Sequence, residues 1–225
     1  GIKKYMEIKW IVKNRNDALA VLFLGWSCDE NTVRHVVIPG YDVIAVYDYR
    51  DIDACILSEI PFENYTRKVL LAWSFGVWVA GRLLLELPPF DRVVAVNGTL
   101  CPVDDNYGIP EKIFAFTLKN IERQGIGKFN ERMCGNSIND FTPSRRPFDE
   151  QLEELKTLAS YFRERQKLFL QWDAVLIGEA DSIFPVKNMV RFWEEKSIFV
   201  TLCPEMNHYP FCATGIKLIR EALGL

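Results

Sequence analysis

Histidine is nearly missing from this 225-residue chain, which has only His35 and His208. That scarcity excludes a histidine-rich metal centre and obliges any histidine-dependent catalysis to use one of these two residues. A basic excess is also missing, because 27 Lys and Arg stand against 30 Asp and Glu, a formal charge of −3. Nucleic-acid binders concentrate positive charge on one face, so no nucleic-acid partner is expected. The six cysteines, at positions 28, 55, 101, 134, 203 and 212, include no Cys-x-x-Cys pair and fall mostly in apolar or helical-looking stretches. They read as buried thiols of a reducing cytosol, not as a disulfide framework or zinc knuckle. No long hydrophobic run exists either. The most apolar stretch, Val69 to Ala80, is interrupted by Ser74 and followed by Arg82, and at about a dozen residues it is short of the roughly 20 that span a bilayer. The opening GIKKYMEIKWIVK lacks an apolar core of signal-peptide length. The expectation is a cytoplasmic protein with no membrane partner.

What is present is a chain 49% apolar, enough to fill one core in a domain that buries roughly 70–75% of its unfolded surface. Short β-branched runs alternate with segments of helical period. The spacing predicts strands over 6–13, 18–25, 42–48, 68–73, 92–98, 174–180 and 198–203. Helices are expected over NTVRHVVI (31–38), from Phe75 to Leu87 before Pro88-Pro89, over about 185–195 and over 213–223. Asp29 and Glu30 precede the first of these, where acidic groups oppose the positive end of a helix dipole. Strand–helix repetition with continuously apolar strands implies an α/β fold, a mostly parallel central sheet flanked by helices. Between Cys101 and Lys167 the strand pattern stops, and three helical segments are expected at about 110–122, 127–134 and 149–167 around the loop-like GNSINDFTPSRRP. The simplest organisation is a single domain over 1–225 with a helical insertion at about 101–168.

The strongest local signal is Ala72-Trp73-Ser74-Phe75-Gly76, where an apolar strand gives way to an apolar helix. In a G-x-S-x-G elbow the serine sits on a strained turn that lifts its oxygen above the sheet, and the next backbone N–H can stabilise an oxyanion. Ala72 replaces the first glycine but remains small. The competing structural role is a helix N-cap. Ser27, in Gly25-Trp26-Ser27-Cys28-Asp29, places Asp29 where an elbow needs a small residue, and reads as an N-cap.

A nucleophilic serine needs a base. His208 lies in PEMNHYPF, after the last strand and before the last helix, the end of a parallel sheet where ligand sites assemble. His35 falls between valines in a helical pattern and reads as a packing or surface residue. A carboxylate must then orient the imidazole. Asp181 follows the strand AVLIGEA at its C-terminal end, whereas Asp173 stands at the opposite end; Glu179 and Glu205 are weaker candidates. The chain order Ser74, Asp181, His208 is that of the α/β-hydrolase triad.

These residues carry a resemblance. Gly25-Trp26 after an apolar strand, the elbow at Ser74, Gly178-Glu179-Ala180-Asp181 with Pro185 beyond it, and Asn207-His208 before the last helix resemble the α/β-hydrolase fold over nearly the whole chain. More narrowly, FLGWSCDE, AWSFG and NHYPF resemble the BioG-type esterases of biotin synthesis, which demethylate pimeloyl-acyl-carrier-protein methyl ester. The resemblance implies Ser74, Asp181 and His208 as catalytic residues and Gly25 and Trp26 as pocket and oxyanion-loop residues, with Phe75 supplying a second N–H. Ser27 stands where the related motif often has glycine.

The implied reaction is carboxyl-ester hydrolysis through an acyl-enzyme, with no metal or organic cofactor. An acyltransferase or thioesterase on the same scaffold, or a non-catalytic protein that binds an acyl or carrier-protein ligand, are the alternatives. The insertion would form a lid, with Phe114, Phe116, Phe129 and Phe141 joining Trp26 along an acyl channel or simply filling core. Lys119, Arg123, Lys128 and Arg132 cluster in an otherwise acidic chain. They offer a docking face for an acidic carrier protein, or a solvated helix face.

Overall fold

Seven strands form one sheet in the computed structural model, which describes residues 5–164 and 171–225. They are β1 (Glu7–Val12), β2 (Ala18–Phe23), β3 (Tyr41–Tyr47), β4 (Arg67–Trp73), β5 (Arg92–Val96), β6 (Ala174–Gly178) and β7 (Val200–Cys203). The order across the sheet is β1-β3-β2-β4-β5-β6-β7. Only β1 runs antiparallel, against β3, and it does so at the edge. The runs ALAVLF and KVLLAW carry no polar alternation beyond their first residues because both faces of a central parallel strand are covered; Leu19 to Phe23 and Val69 to Trp73 are all buried. Among the described residues, six α-helices accompany the sheet: α1 (Phe75–Leu83), α2 (Glu111–Gln124), α3 (Gly127–Cys134), α4 (Phe148–Phe162), α5 (Val186–Glu195) and α6 (Ala213–Ala222).

The chain leaves β2 for β3 on one side, then crosses back to β4 on the other. The loops that follow β2 and β4 therefore diverge at the carboxyl end of the sheet, the place where an open α/β sheet leaves a crevice. Gly25-Trp26 and Ser74 occupy those two loops.

Several expectations are corrected. NTVRHVVI is not a helix: a 3-10 turn over Glu30–Thr32 is all that forms, with the Asp29 side chain accepting from the Asn31 N–H as its N-cap. Val33, Val36 and Ile38 are buried side chains of an irregular segment that Pro39-Gly40 ends, and β-branched residues gain little from a helix. Ser27 is thus not the cap. Helix α1 stops at Leu83, before the double proline, and β7 starts at Val200. The loop-like region contains a 3-10 helix over Gly135–Asp140. The end of the third inserted helix, 165–167, and the end of the insertion lie outside the described residues. The cysteines are not uniformly buried, since Cys55 is exposed and Cys101 and Cys212 are partly so; all six are free.

Gly76 shows why the elbow needs a small residue. A Cβ there would lie 2.4 Å from the carbonyl oxygen of Phe23, the last residue of β2, and 2.5 Å from that of Leu24, the residue after it. Gly76→Ala is therefore expected to destabilise the fold by about 1–3 kcal/mol, as overpacking does, read as a fall in urea midpoint with unchanged m-value. A midpoint equal to wild type would mean that α1 does not pack on β2 this closely.

Candidate active site

Ser74 is the hinge between β4 and α1. Its backbone has φ 59° and ψ −129°, and its side chain makes no cap hydrogen bond to the helix. A non-glycine residue held there costs about 1–3 kcal/mol. The turn is held by hydrogen bonds from the Ser74 N–H to the Val96 carbonyl at 3.0 Å and from the Val77 N–H to the Ser74 carbonyl at 3.0 Å. Gly98 lets the chain leaving β5 pass close by, since a Cβ there would sit 2.4 Å from the Ser74 carbonyl oxygen. The N-cap reading of Ser74 is set aside by this geometry.

The hydroxyl instead faces a histidine. His208 Nε2 lies 2.9 Å from Ser74 Oγ, and His208 Nδ1 lies 2.8 Å from Asp181 Oδ2. All three side chains are buried. The second oxygen of Asp181 accepts the N–H groups of Ile183 at 2.8 Å and Phe184 at 2.9 Å, which fixes the carboxylate plane. With Nδ1–H donated to Asp181, Nε2 is the acceptor for the serine proton. The other candidates stand elsewhere. His35 is exposed and donates from Nε2 to the Phe211 carbonyl; Asp173 accepts the Val93 N–H at the far end of the sheet; Glu179 and Glu205 are exposed.

Sequence reasoning missed the residues that hold His208. Asn97, fully buried, donates from Nδ2 to the carbonyls of Asn207 and His208 at 2.9 and 3.0 Å while its Oδ1 accepts the Gly178 N–H at 2.7 Å. Trp73 Nε1 donates to the same His208 carbonyl at 2.8 Å. Phe184 stacks on the imidazole with 5.8 Å between ring centroids. In sequence Asn97 and Gly98 read only as the end of the strand expected over 92–98, and nothing local marks Asn97 as a partner of the His208 loop.

A narrow, mostly apolar cavity opens beside Ser74, lined on the sheet side by Gly25, Trp26, Phe75 and His208. Its roof comes from the segment between β5 and β6, with Phe114, Ile121, Phe129 and Leu155 on it. Of the four aromatics proposed for an acyl channel, Phe114 and Phe129 line the cavity, and Phe129 meets Trp26 edge-on at 5.1 Å. Phe116 is instead 66% exposed, and Phe141 packs on Tyr209; helical spacing turns position 116 away from 114. Arg132, unlike Lys119, Arg123 and Lys128, is among the lining residues, and it donates to the Ser182 carbonyl at 3.1 Å. Among the described residues, the N–H groups of Trp26 and Phe75 have no protein acceptor.

Trp26 and Ser27 are gripped by α4. Trp26 Nε1 donates to the Gln151 carbonyl at 2.6 Å, and the Ser27 N–H, at a residue with φ 71°, donates to Glu154 Oε1 at 2.9 Å. The other Glu154 oxygen accepts the Tyr49 N–H at 2.7 Å. Burial pushes the Glu154 carboxyl up from its ordinary range, opposed by Arg146 and by these two backbone donors. Arg146 meets Glu154 at 2.9 Å and Asp48 at 2.9 Å. Among the described residues no group of three or more His, Cys, Asp or Glu is placed to hold a metal, and no helix is long and apolar enough to cross a membrane.

A mostly parallel sheet with helices on its flanks, and a strained serine at the end of a central strand, define the α/β-hydrolase fold. An aryl-esterase-related crystal structure from Burkholderia cenocepacia shares that fold at 15% identity, with a TM-score of 0.65 and 98% and 96% of the two chains covered. Residues 6–214 match the family model described as pimeloyl-ACP methyl esterase BioG, and the chain belongs to this family of enzymes. The crystal structure of BioG from Haemophilus influenzae superposes with a TM-score of 0.79 at 30% identity, covering 90% of this chain and 94% of that one. A Bacteroides fragilis protein named malonyl-[acyl-carrier protein] O-methyltransferase is 35% identical over 217 residues, 93% of this chain. The chain spans only 42% of the length of that relative.

Proposed function

We propose that this chain is a serine carboxylesterase that removes the methyl group from pimeloyl-acyl-carrier-protein methyl ester in biotin synthesis. One observation carries the reading: the relay from Asp181 through His208 to Ser74, with contacts of 2.8 and 2.9 Å, at the floor of an apolar cavity. His208 takes the Ser74 proton as Oγ attacks the ester carbonyl. The N–H groups of Trp26 and Phe75 receive the oxyanion, each worth about 3–4 kcal/mol in such a transition state. The tetrahedral intermediate collapses with the His208 proton passing to the departing methanol. Water, deprotonated by the same imidazole, then attacks the acyl-enzyme and releases the free carboxylate. The family description supports the substrate, and the apolar lining suits a methylene chain.

In this reading residues from about 101 to 168 act as a lid within one hydrolase domain. The apolar part of the acyl group lies against Phe114, Phe129 and Trp26, and the carrier end leaves through the mouth. Lys119, Arg123 and Lys128 are exposed on α2 and at the start of α3, close in sequence to the lining residues. We read them with Arg132 as the docking face for an acidic carrier.

Because Arg132 also lines the cavity, the test uses the other three. Reversing Lys119, Arg123 and Lys128 to glutamate is expected to lower kcat/KM for the carrier-linked ester about tenfold or more at low salt, with the difference shrinking as ionic strength rises. Hydrolysis of p-nitrophenyl butyrate should stay unchanged. Equal losses on both substrates would remove the docking assignment. Comparing free and carrier-linked pimeloyl methyl esters tests the substrate itself, since no preference for the carrier-linked form would confine the reading to a general esterase.

A further inference from the structure

Ser27 is a non-glycine residue at φ 71°, next in the chain to Trp26. Left alone, an L-residue prefers to leave this region, and rotation there would swing the Trp26–Ser27 peptide. Something outside the loop must hold it. The only side-chain acceptor of the Ser27 N–H among the described residues is Glu154, which is fully buried on α4. The same carboxylate takes the Tyr49 N–H, and the Tyr49 hydroxyl donates to the Leu24 carbonyl at 2.6 Å. One carboxylate thus grips the 24–27 turn at both ends, directly at Ser27 and through Tyr49 at Leu24. One turn earlier on α4, the Gln151 carbonyl holds the Trp26 indole.

We propose that Glu154 is a positioning residue for the oxyanion loop: by fixing the Ser27 N–H it sets the direction in which the Trp26 N–H faces Ser74. This rests on the assignment of Ser74 as nucleophile and Trp26 as an oxyanion donor. It goes further, because it makes the segment between β5 and β6 part of the machinery that stabilises the transition state, beyond roofing the cavity. Arg146 neutralises the buried carboxylate and keeps it an acceptor, with Asp48 closing the far side of the cluster. Both carboxylate oxygens matter, because Oε1 takes the Ser27 N–H and Oε2 the Tyr49 N–H, and an amide at this position offers only one acceptor oxygen.

The test compares Glu154→Gln with Leu158→Ala. Leu158 lies one turn further along α4, is fully buried and does not line the cavity, so its truncation loosens the helix without touching the carboxylate. With p-nitrophenyl butyrate, Glu154→Gln should lower kcat about 10- to 100-fold, part of the 100- to 1,000-fold range for loss of an oxyanion donor, with KM within about twofold of wild type. Affinity for a trifluoromethyl ketone analogue should fall by the same factor as kcat. Leu158→Ala should lower the melting temperature at least as much and keep kcat near wild type at 20 °C. The proposal is overturned if Glu154→Gln leaves analogue affinity unchanged, or if Leu158→Ala loses as much kcat at a matched melting temperature. Failure of the underlying assignment has a different signature: wild-type protein would not be labelled at Ser74 by a fluorophosphonate.

Discussion

Replacing Ser74 with alanine is expected to lower kcat for ester hydrolysis by at least about 10⁴-fold, leaving the residual rate that binding and the oxyanion donors give on their own. The hydroxyl is the only oxygen nucleophile within 3 Å of His208 Nε2 among the described residues. Losing it removes the covalent step and leaves the cavity intact, so substrate should still bind with little change in KM. A second substitution, His208→Ala, should cost little more in the Ser74→Ala background, because a base without its nucleophile has nothing to activate; such units are strongly non-additive. The measurement is single-turnover hydrolysis beside stoichiometric fluorophosphonate labelling. Substantial activity in Ser74→Ala, or independent and multiplicative effects of the two substitutions, would show that the reaction runs through another group.

Asp181→Asn is the second large effect, a loss of about 10³- to 10⁴-fold in kcat with the fold retained. The reason lies in how the two carboxylate oxygens are used. Oδ1 accepts two backbone N–H groups, from Ile183 and Phe184, so the oxygen of an asparagine must stay on that side. Its NH₂ group then faces His208 Nδ1, which can meet a donor only by giving up its own proton. The proton moves to Nε2, and that nitrogen now donates toward Ser74 where it needs to accept. The variant should melt close to wild type while its kcat collapses. A matching loss in melting temperature would instead make Asp181 a structural residue whose removal disturbs the loop as a whole.

Most of the sheet and the three positions that meet at Ser74, His208 and Asp181 were legible because each rests on a local signal. Uninterrupted apolar runs mark strands covered on both faces, and the small residues around Ser74 mark the elbow. With two histidines, only His208 fell in a loop at a strand C-terminus, while His35 fell inside an expected helix. What escaped the sequence depends on contacts across long separations. Asn97 is 111 residues from His208, and Glu154 is 127 from Ser27; no periodicity encodes such pairs. Helical period also misled at 31–38, where buried valines in an irregular segment imitate an amphipathic face. It misled again at Phe116, where an aromatic at helical spacing turned out to face solvent. Nothing in the sequence marked Arg132, alone among the four basic residues, as a lining residue of the cavity.

Trp73 at the end of β4 and Asn97 just past β5 together anchor the carbonyls of Asn207 and His208, through three hydrogen bonds of 2.8 to 3.0 Å. The imidazole therefore needs no ligand to bring it into register, and substrate binding does no work in assembling the reacting groups. Induced fit at these three residues is not available to tell one ester from another. In the proposed reaction, discrimination has to come from how far an acyl chain reaches along the Phe114 and Phe129 wall and from what it carries at the mouth. Any short ester that enters is expected to be cleaved, so selectivity among substrates is a property of entry and fit, not of the chemical step.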